Sequence, residues 1–342
     1  MKFSVHLLQV TCKKKHGEYL EKSKYIGCAG QIYGVEEHRL IGGKGDGMRL
    51  FEVRNGLGLE FTVSADRCAD ISRLSFKGDN MGYFAACGYV GPQYYEREGL
   101  GFLKSFTGGF LTTCGLTAVG APCVDEDEEL PLHGTIANTP ADKIWWGMDD
   151  RNITIQAIVN EGSLFGRKLQ LERKFECSRI ENKITLSDTV TNLGSNVSPL
   201  MLLYHVNIGY PLLSEKAVLS IPSKTVKARN AHAAKDIDTW NVILPPTEGF
   251  EEQCYYHTFE KEGFARIYNP DIRKGIEITF DPTTLDYFTE WKMMGEKDYV
   301  LGLEPGNCHP EGRDKMRAEG KLKFLAPDES KTFTMKFHFQ EE

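Results

Sequence analysis

Apolar and polar residues alternate along most of the chain. Leu59-Glu60-Phe61-Thr62-Val63 is a period-two run, as are Ile153-Thr154-Ile155, Leu169-Gln170-Leu171 and Phe333-Thr334-Met335-Lys336-Phe337-His338-Phe339. Residues 184–190, 218–221, 264–268 and 276–280 follow the same rule. Successive side chains of a strand point to opposite faces, so alternation predicts strands with one buried face. Turn-forming clusters separate the runs: Arg54-Asn55-Gly56, Asn160-Glu161-Gly162, Asn192-Leu193-Gly194 and Asn269-Pro270-Asp271. Helical signal is confined to short stretches around 92–104 and 314–318, and the strand–helix alternation of a parallel α/β sheet is absent. The pattern predicts an all-β protein of antiparallel strands, large enough in strand number for a sandwich.

Length and composition set the frame. At 342 residues the chain can form one large domain or two ordinary ones. It has no linker-like segment and no internal repeat. The reading is therefore a single domain over 31–342, with residues 1–30 an N-terminal extension packed on it. Asp+Glu number 48 against 41 Lys+Arg, a net charge of −7, and no basic cluster is interleaved with aromatics. That balance argues against a nucleic-acid partner. No stretch approaches the roughly 20 apolar residues needed to span a bilayer. No small-residue cleavage site closes the short apolar run at the N-terminus, so no secretory signal and no membrane association are expected. The nine cysteines are scattered, odd in number and free of C-x-x-C pairs, which suits buried free thiols in a cytoplasmic protein. The acidic run Asp125-Glu126-Asp127-Glu128-Glu129 reads as a solvated loop.

Several familiar motifs are missing. Gly42-Gly43-Lys44-Gly45-Asp46-Gly47 lacks the Gly-Lys-Ser/Thr ending of a phosphate loop and precedes a strand, so it reads as a turn. There is no His-Glu-x-x-His and no Gly-x-Ser-x-Gly.

Three separate segments each carry a group able to move a proton: Leu130-Pro131-Leu132-His133-Gly134, Leu203-Tyr204-His205-Val206-Asn207 and Leu303-Glu304-Pro305-Gly306. His133 sits in a tight, backbone-constrained turn and alone reads as a turn-capping loop residue. His205 lies in the almost wholly apolar run 200–208, hence in a buried strand. Asn207, two residues on, shares its face, and two polar groups there must be hydrogen-bonded or line a cavity. Glu304 ends the apolar run 299–303. Burying a carboxylate costs several kcal/mol unless it is partnered, and desolvation raises its pKa toward that of a useful base. Further candidates are Arg67, suited to sugar hydroxyls or a carboxylate or else to pairing with Asp70, and Trp291 with Lys292 in a later strand. His309, just beyond Glu304, and His257 complete the set. Two histidines and a glutamate also make a plausible divalent-metal set. An acidic sugar would then be held by Arg67 or Lys292.

In this order, inside an all-β chain, these segments together with Gly109-Phe110-Leu111-Thr112-Thr113-Cys114-Gly115-Leu116 and Pro131–Ala141 resemble the galactose mutarotase (aldose 1-epimerase) superfamily. More closely, they resemble its DUF4432 branch. The resemblance implies a β-supersandwich with a sugar on its concave face. It makes His133 a substrate contact, His205 the general acid and Glu304 the general base, with Arg67 and Asp70 at the sugar. It implies anomer interconversion on a free or modified sugar, no cofactor and no metal. Pro305-Gly306 stands where the superfamily has Thr-Gln, and Tyr204 where it has Asn. Two rival readings stand beside this one: a metal-assisted isomerase or lyase, and a non-catalytic sugar-binding protein. A homodimer is a further expectation.

Overall fold

The computed structural model describes residues 24–342, so most of the expected N-terminal extension lies outside the described residues. Among them, antiparallel strands build nearly all of the architecture. Asn152–Gly162, Lys168–Ser178 and Lys183–Asn192 form a meander, and Ser330–Glu341 pairs with the last of these. Lys274–Phe280, Gly263–Asn269 and Val218–Ser220 extend this sheet on one side and Lys143–Met148 closes it on the other, giving eight strands. A second sheet runs Thr225–Ala228, Gln253–Thr258, Tyr287–Met294, Tyr299–Gly306, Ser198–Ile208, Lys323–Leu325, with Leu111–Leu116 also paired to Ser198–Ile208. A five-stranded sheet from the first part of the chain, Gly34–Arg39 to Asp79–Asn80, packs beside them.

Period two explains the layering. Ile153, Ile155, Ala157 and Val159 turn inward from the eight-stranded sheet, as do Leu169, Leu171, Phe175 and Cys177. They meet Leu200, Leu202, Tyr204, Val206 and Ile208 of the second sheet, together with Phe61, Val63 and Ile71 of the five-stranded one. The other face of Ser198–Ile208 is also covered. There Met201 and Leu203 pack with Cys114, Val119, Cys308 and Met316. A strand buried on both faces loses its alternation, which is why 200–208 is apolar except at His205 and Asn207.

Some local expectations shift. Residues 160–162 continue a strand, and the turn comes at 163–166. The 92–104 stretch holds two short 3₁₀ turns, Pro92–Tyr94 and Gly101–Lys104. The acidic run is a hairpin, Cys123–Asp125 with Glu128–Leu130, and not simply a solvated loop. Asp125 is buried between Arg313 Nε (2.6 Å) and Arg317 Nε (2.7 Å), and Glu128 takes Arg167 Nη1 at 2.6 Å. Burial without partners would be prohibitive for a carboxylate, so the fold brings cations to it. The helix Arg313–Ala318 supplies two of them. No helix among the described residues is long and apolar enough to cross a membrane.

Candidate acid–base site

His205 and Glu304 come from adjacent strands. The register sets Leu203 against Gly306 and Val206 against Leu303, which places His205 opposite Glu304 on the face away from the main core. His205 Nε2 lies 3.2 Å from Glu304 Oε1, and both side chains are buried, 7% and 2% exposed. Thr112 flanks His205 on one side and Thr289 flanks Glu304 on the other. One row further lie Asn207, Gly302, Trp291 and Cys254, paired in that order across four strands.

Gly302 makes room for the carboxylate. A Cβ there would fall 2.3 Å from Glu304 Oε1, so only glycine lets the acid lie back over its own strand toward His205. His133 reaches the same place from a turn. Its backbone takes φ +57°, its N–H donates to Gly120 O at 2.9 Å and its carbonyl accepts from Gly115 N at 3.1 Å. The following Gly134 also has positive φ (+73°), and a Cβ on it would sit 2.2 Å from Gly115 O. With both backbone groups held, the imidazole is presented 5.8 Å, centroid to centroid, from that of His205. Trp291 stands edge-on to His205 at 5.2 Å, its indole N–H donating to Glu252 at 2.7 Å, and Phe106 closes the other side at 5.2 Å.

Burial dominates the electrostatics. It pushes His205 down to about 3, with His133 adding to the effect. His133 itself falls to about 4 through burial and the charge of Arg229. Glu304 rises well above the usual carboxylate range through burial and the neighbouring Glu252, while Arg229 opposes the rise. Burial thus drives both members of the pair toward their neutral forms, with His205 Nε2 and Glu304 Oε1 3.2 Å apart but not aligned as a hydrogen bond. Glu304 Oε1, His133 Nδ1, His205 Nδ1, Asn207 Oδ1, Thr289 Oγ1 and His309 Nδ1 are buried without a hydrogen-bond partner among the described residues. Such atoms are expensive unless something satisfies them.

The remaining sequence candidates divide by strand face. His309 is near the site, stacked on Tyr256 (3.8 Å) and edge-on to Tyr287 (4.5 Å). Lys292 and His257 lie on the opposite face. Lys292 Nζ donates to the carbonyls of Trp240 and Val242, and His257 joins Ser223 (2.7 Å) and Glu290 (3.3 Å). Trp291 and Lys292 are neighbours in one strand, so they cannot both face one pocket. Arg67 donates through Nε to the carbonyl of Ala137 and through Nη1 to those of Val90 and Ser105, and it lines a small cavity with Asp70 and Thr112. Asp70 pairs with the buried Arg173, not with Arg67, and accepts from Thr113 N and Oγ1. Among the described residues no group of three His, Cys, Asp or Glu is arranged to hold a metal ion. Sequence reading missed Arg229, Glu252, Tyr256 and Glu311. Arg229 Nε reaches Glu311 at 3.0 Å, and Tyr256 OH donates to the same carboxylate. Register places Tyr256 against Thr289, the neighbour of Glu304, and no local signal marks it.

Comparison with known proteins gives these groups a setting. The family model described as a domain of unknown function, DUF4432, matches residues 45–339. None of the curated proteins matches the chain. Among solved structures, a candidate aldose 1-epimerase from Klebsiella pneumoniae is 26% identical with a TM-score of 0.84, covering 91% of this chain and 84% of that one. A galactose mutarotase-like protein from Clostridium acetobutylicum is 15% identical with a TM-score of 0.65, covering 91% and 100%. The galactose 1-epimerase of Lactobacillus acidophilus is 14% identical with a TM-score of 0.62, covering 90% and 99%. At such identities the last two speak to the galactose mutarotase-like fold alone.

Proposed function

Because the chain belongs to the DUF4432 family and shares the galactose mutarotase-like fold, we propose that it interconverts the anomers of a free or modified sugar. The observation that carries this is the His205–Glu304 contact, 3.2 Å between adjacent strands on one buried face. Mutarotation opens a hemiacetal and closes it on the other face of the same carbon. Opening moves the anomeric hydroxyl proton to a base while an acid gives a proton to the ring oxygen; closing reverses both transfers. A pair sharing one proton provides one acid and one base at every stage.

In this reading Glu304 takes the anomeric proton and His205 serves the ring oxygen. Without substrate, burial favours the proton on Glu304. Arg229 favours its carboxylate. Sugar hydroxyls arriving at the pair add hydrogen bonds to the charged arrangement, and the proton crosses to His205. His133 contacts the sugar, and Trp291 offers an apolar wall for a ring face. The unpartnered atoms of Asn207, Thr289 and the histidines suit a ligand rich in hydroxyls.

Polarimetry or NMR exchange on a panel of freshly dissolved sugars tests the proposal. Interconversion of at least one sugar faster than buffer, lost in Glu304→Gln, is the expected result. No acceleration of any sugar, or an unaffected Glu304→Gln, would overturn it. Sugar binding that survives Glu304→Ala with no turnover would mark a binding protein instead.

A further inference from the structure

The outermost strand of the eight-stranded sheet, Lys143–Met148, has only one neighbour among the described residues and is exposed along nearly its whole length. Trp145, Trp146 and Met148 are 43%, 44% and 43% exposed. An edge strand invites pairing, and proteins commonly blunt it with proline, a bulge or dense charge. Between Asp142 and Asp149 this one carries a single charge, Lys143, and two tryptophans.

Its backbone polarity can be read from the hairpin beside it. Met148 pairs with Ile153 and Lys143 with Ile158. At the hairpin end Asp149 N donates to Asn152 O at 3.0 Å, which makes that a hydrogen-bonded pair. Hydrogen-bonded and non-hydrogen-bonded pairs alternate along an antiparallel ladder. Lys143, Trp145 and Gly147 therefore turn their N–H and C=O toward the neighbouring strand. Ile144, Trp146 and Met148 turn theirs outward.

We propose that this strand pairs antiparallel with its counterpart in a second copy of the chain, about a two-fold axis at Trp146, joining two eight-stranded sheets into one. The register follows from the backbone. Outward-facing residues must meet outward-facing residues, so Trp146 meets Trp146 and Ile144 meets Met148. Lys143 then faces Asp149, twice by symmetry, and Trp145 lies against Gly147, where no side chain obstructs the indole. The registers shifted by one ladder step set Lys143 against Gly147 or against Arg151, so charge selects the one at Trp146. Asp142 at the strand's end is already bonded to Asn160 N and Nδ2. The isologous pairing is the common symmetry of homodimers. The strand belongs to the other sheet from the one that carries His205 and Glu304, and it supplies no residue of the acid–base pair, so the pairing stands or falls apart from the proposed activity.

Sedimentation velocity of the full chain at micromolar concentration tests it. A dimer is expected, and Trp146→Pro, which removes an outward N–H without touching the internal ladder, should give a folded monomer. Lys143→Asp should weaken the dimer by about tenfold, through two like-charged pairs. Asp149 also caps the hairpin through Arg151 N and Asn152 N, so its own replacement perturbs the turn. The decisive comparison is therefore Lys143→Asp in two backgrounds. It should weaken the wild-type dimer and strengthen that of Asp149→Lys. A monomeric wild type overturns the proposal, as does a dimer indifferent to Trp146→Pro. So does a monomer whose 144, 146 and 148 amides resist hydrogen exchange, since the chain would then cover the strand itself.

Discussion

Replacing Gly302 by alanine adds one methyl group at the most sensitive point of the site. An ideal Cβ at 302 lies 2.3 Å from Glu304 Oε1, and 3.1 and 3.2 Å from Cβ and Cε3 of Trp291. An ordinary carbon–oxygen contact is about 3.3 Å, so the carboxylate must retreat by roughly 1 Å. The fold tolerates this, because the displaced atom ends a flexible side chain and alanine suits a strand whose φ here is ordinary. The chemistry does not tolerate it, because Oε1 is the atom 3.2 Å from His205 Nε2. Misplacing a reacting group by 1 Å can cost about 10²-fold. Gly302→Ala should therefore lower kcat/KM for anomer exchange by about 10²-fold, with the melting temperature within a few degrees of wild type. NMR exchange spectroscopy on the sugar turned over by the wild type measures the first, and a thermal melt the second. Activity within a few-fold of wild type would refute the positioning argument. A collapsed melting temperature would show that Gly302 serves its packing against Trp291 instead.

Other perturbations separate the roles of the neighbouring groups. Glu304→Gln and His205→Asn should each lower kcat by about 10²–10⁴-fold and together scarcely more than either alone, because the two act on one proton; additive losses in single-turnover NMR would contradict a shared-proton pair. His205, His133 and His309 are held at about 3, 4 and 4, below the ordinary 6.5. The unfolded chain thus binds protons that the folded chain does not, so their contribution to stability is present above about 6.5 and lost as pH falls toward 4. Thermal melts across that window should show a shallower decline for His309→Asn than for wild type; equal slopes would mean the imidazole is not buried neutral. Arg67→Met leaves three carbonyls without their donor and should cost about 1–3 kcal/mol or more in denaturant unfolding with KM unchanged. A raised KM at full stability would return Arg67 to the substrate.

The strands were legible because their chemistry is local. A half-buried strand alternates: burial does so throughout 153–159, 169–177 and 333–339, and the apolar–polar pattern follows it except at Ile158 and the buried Arg173. The charged hairpin at 123–130 was not legible, because the reason Asp125 can be buried lies nearly two hundred residues away in Arg313 and Arg317. The same holds for Arg67. A lone arginine near an aspartate suggests a pair, and nothing local says that its Nε and Nη1 donate to the carbonyls of Val90, Ser105 and Ala137.

For the site itself, alternation held more information than was drawn from it. His205 and Asn207 share a face and were read together; Gly302 shares a face with Glu304 by the same rule and was passed over. The same rule applied to Trp291–Lys292 and Tyr256–His257 would have kept one residue of each couple and discarded the other. Register then decides which. The ladder runs from Thr112 through His205, Glu304 and Thr289 to Tyr256, which places Tyr256 on the acid–base face and turns His257 to the other. Strand order is the datum a single sequence withholds, since Ser198–Ile208 pairs with Tyr299–Gly306 across some hundred residues. Once the register of each successive pairing is known, parity assigns a side to every residue of these strands. Arg229 and Cys254 then fall beside Gly302 and Trp291, next to the carboxylate whose charge Arg229 favours.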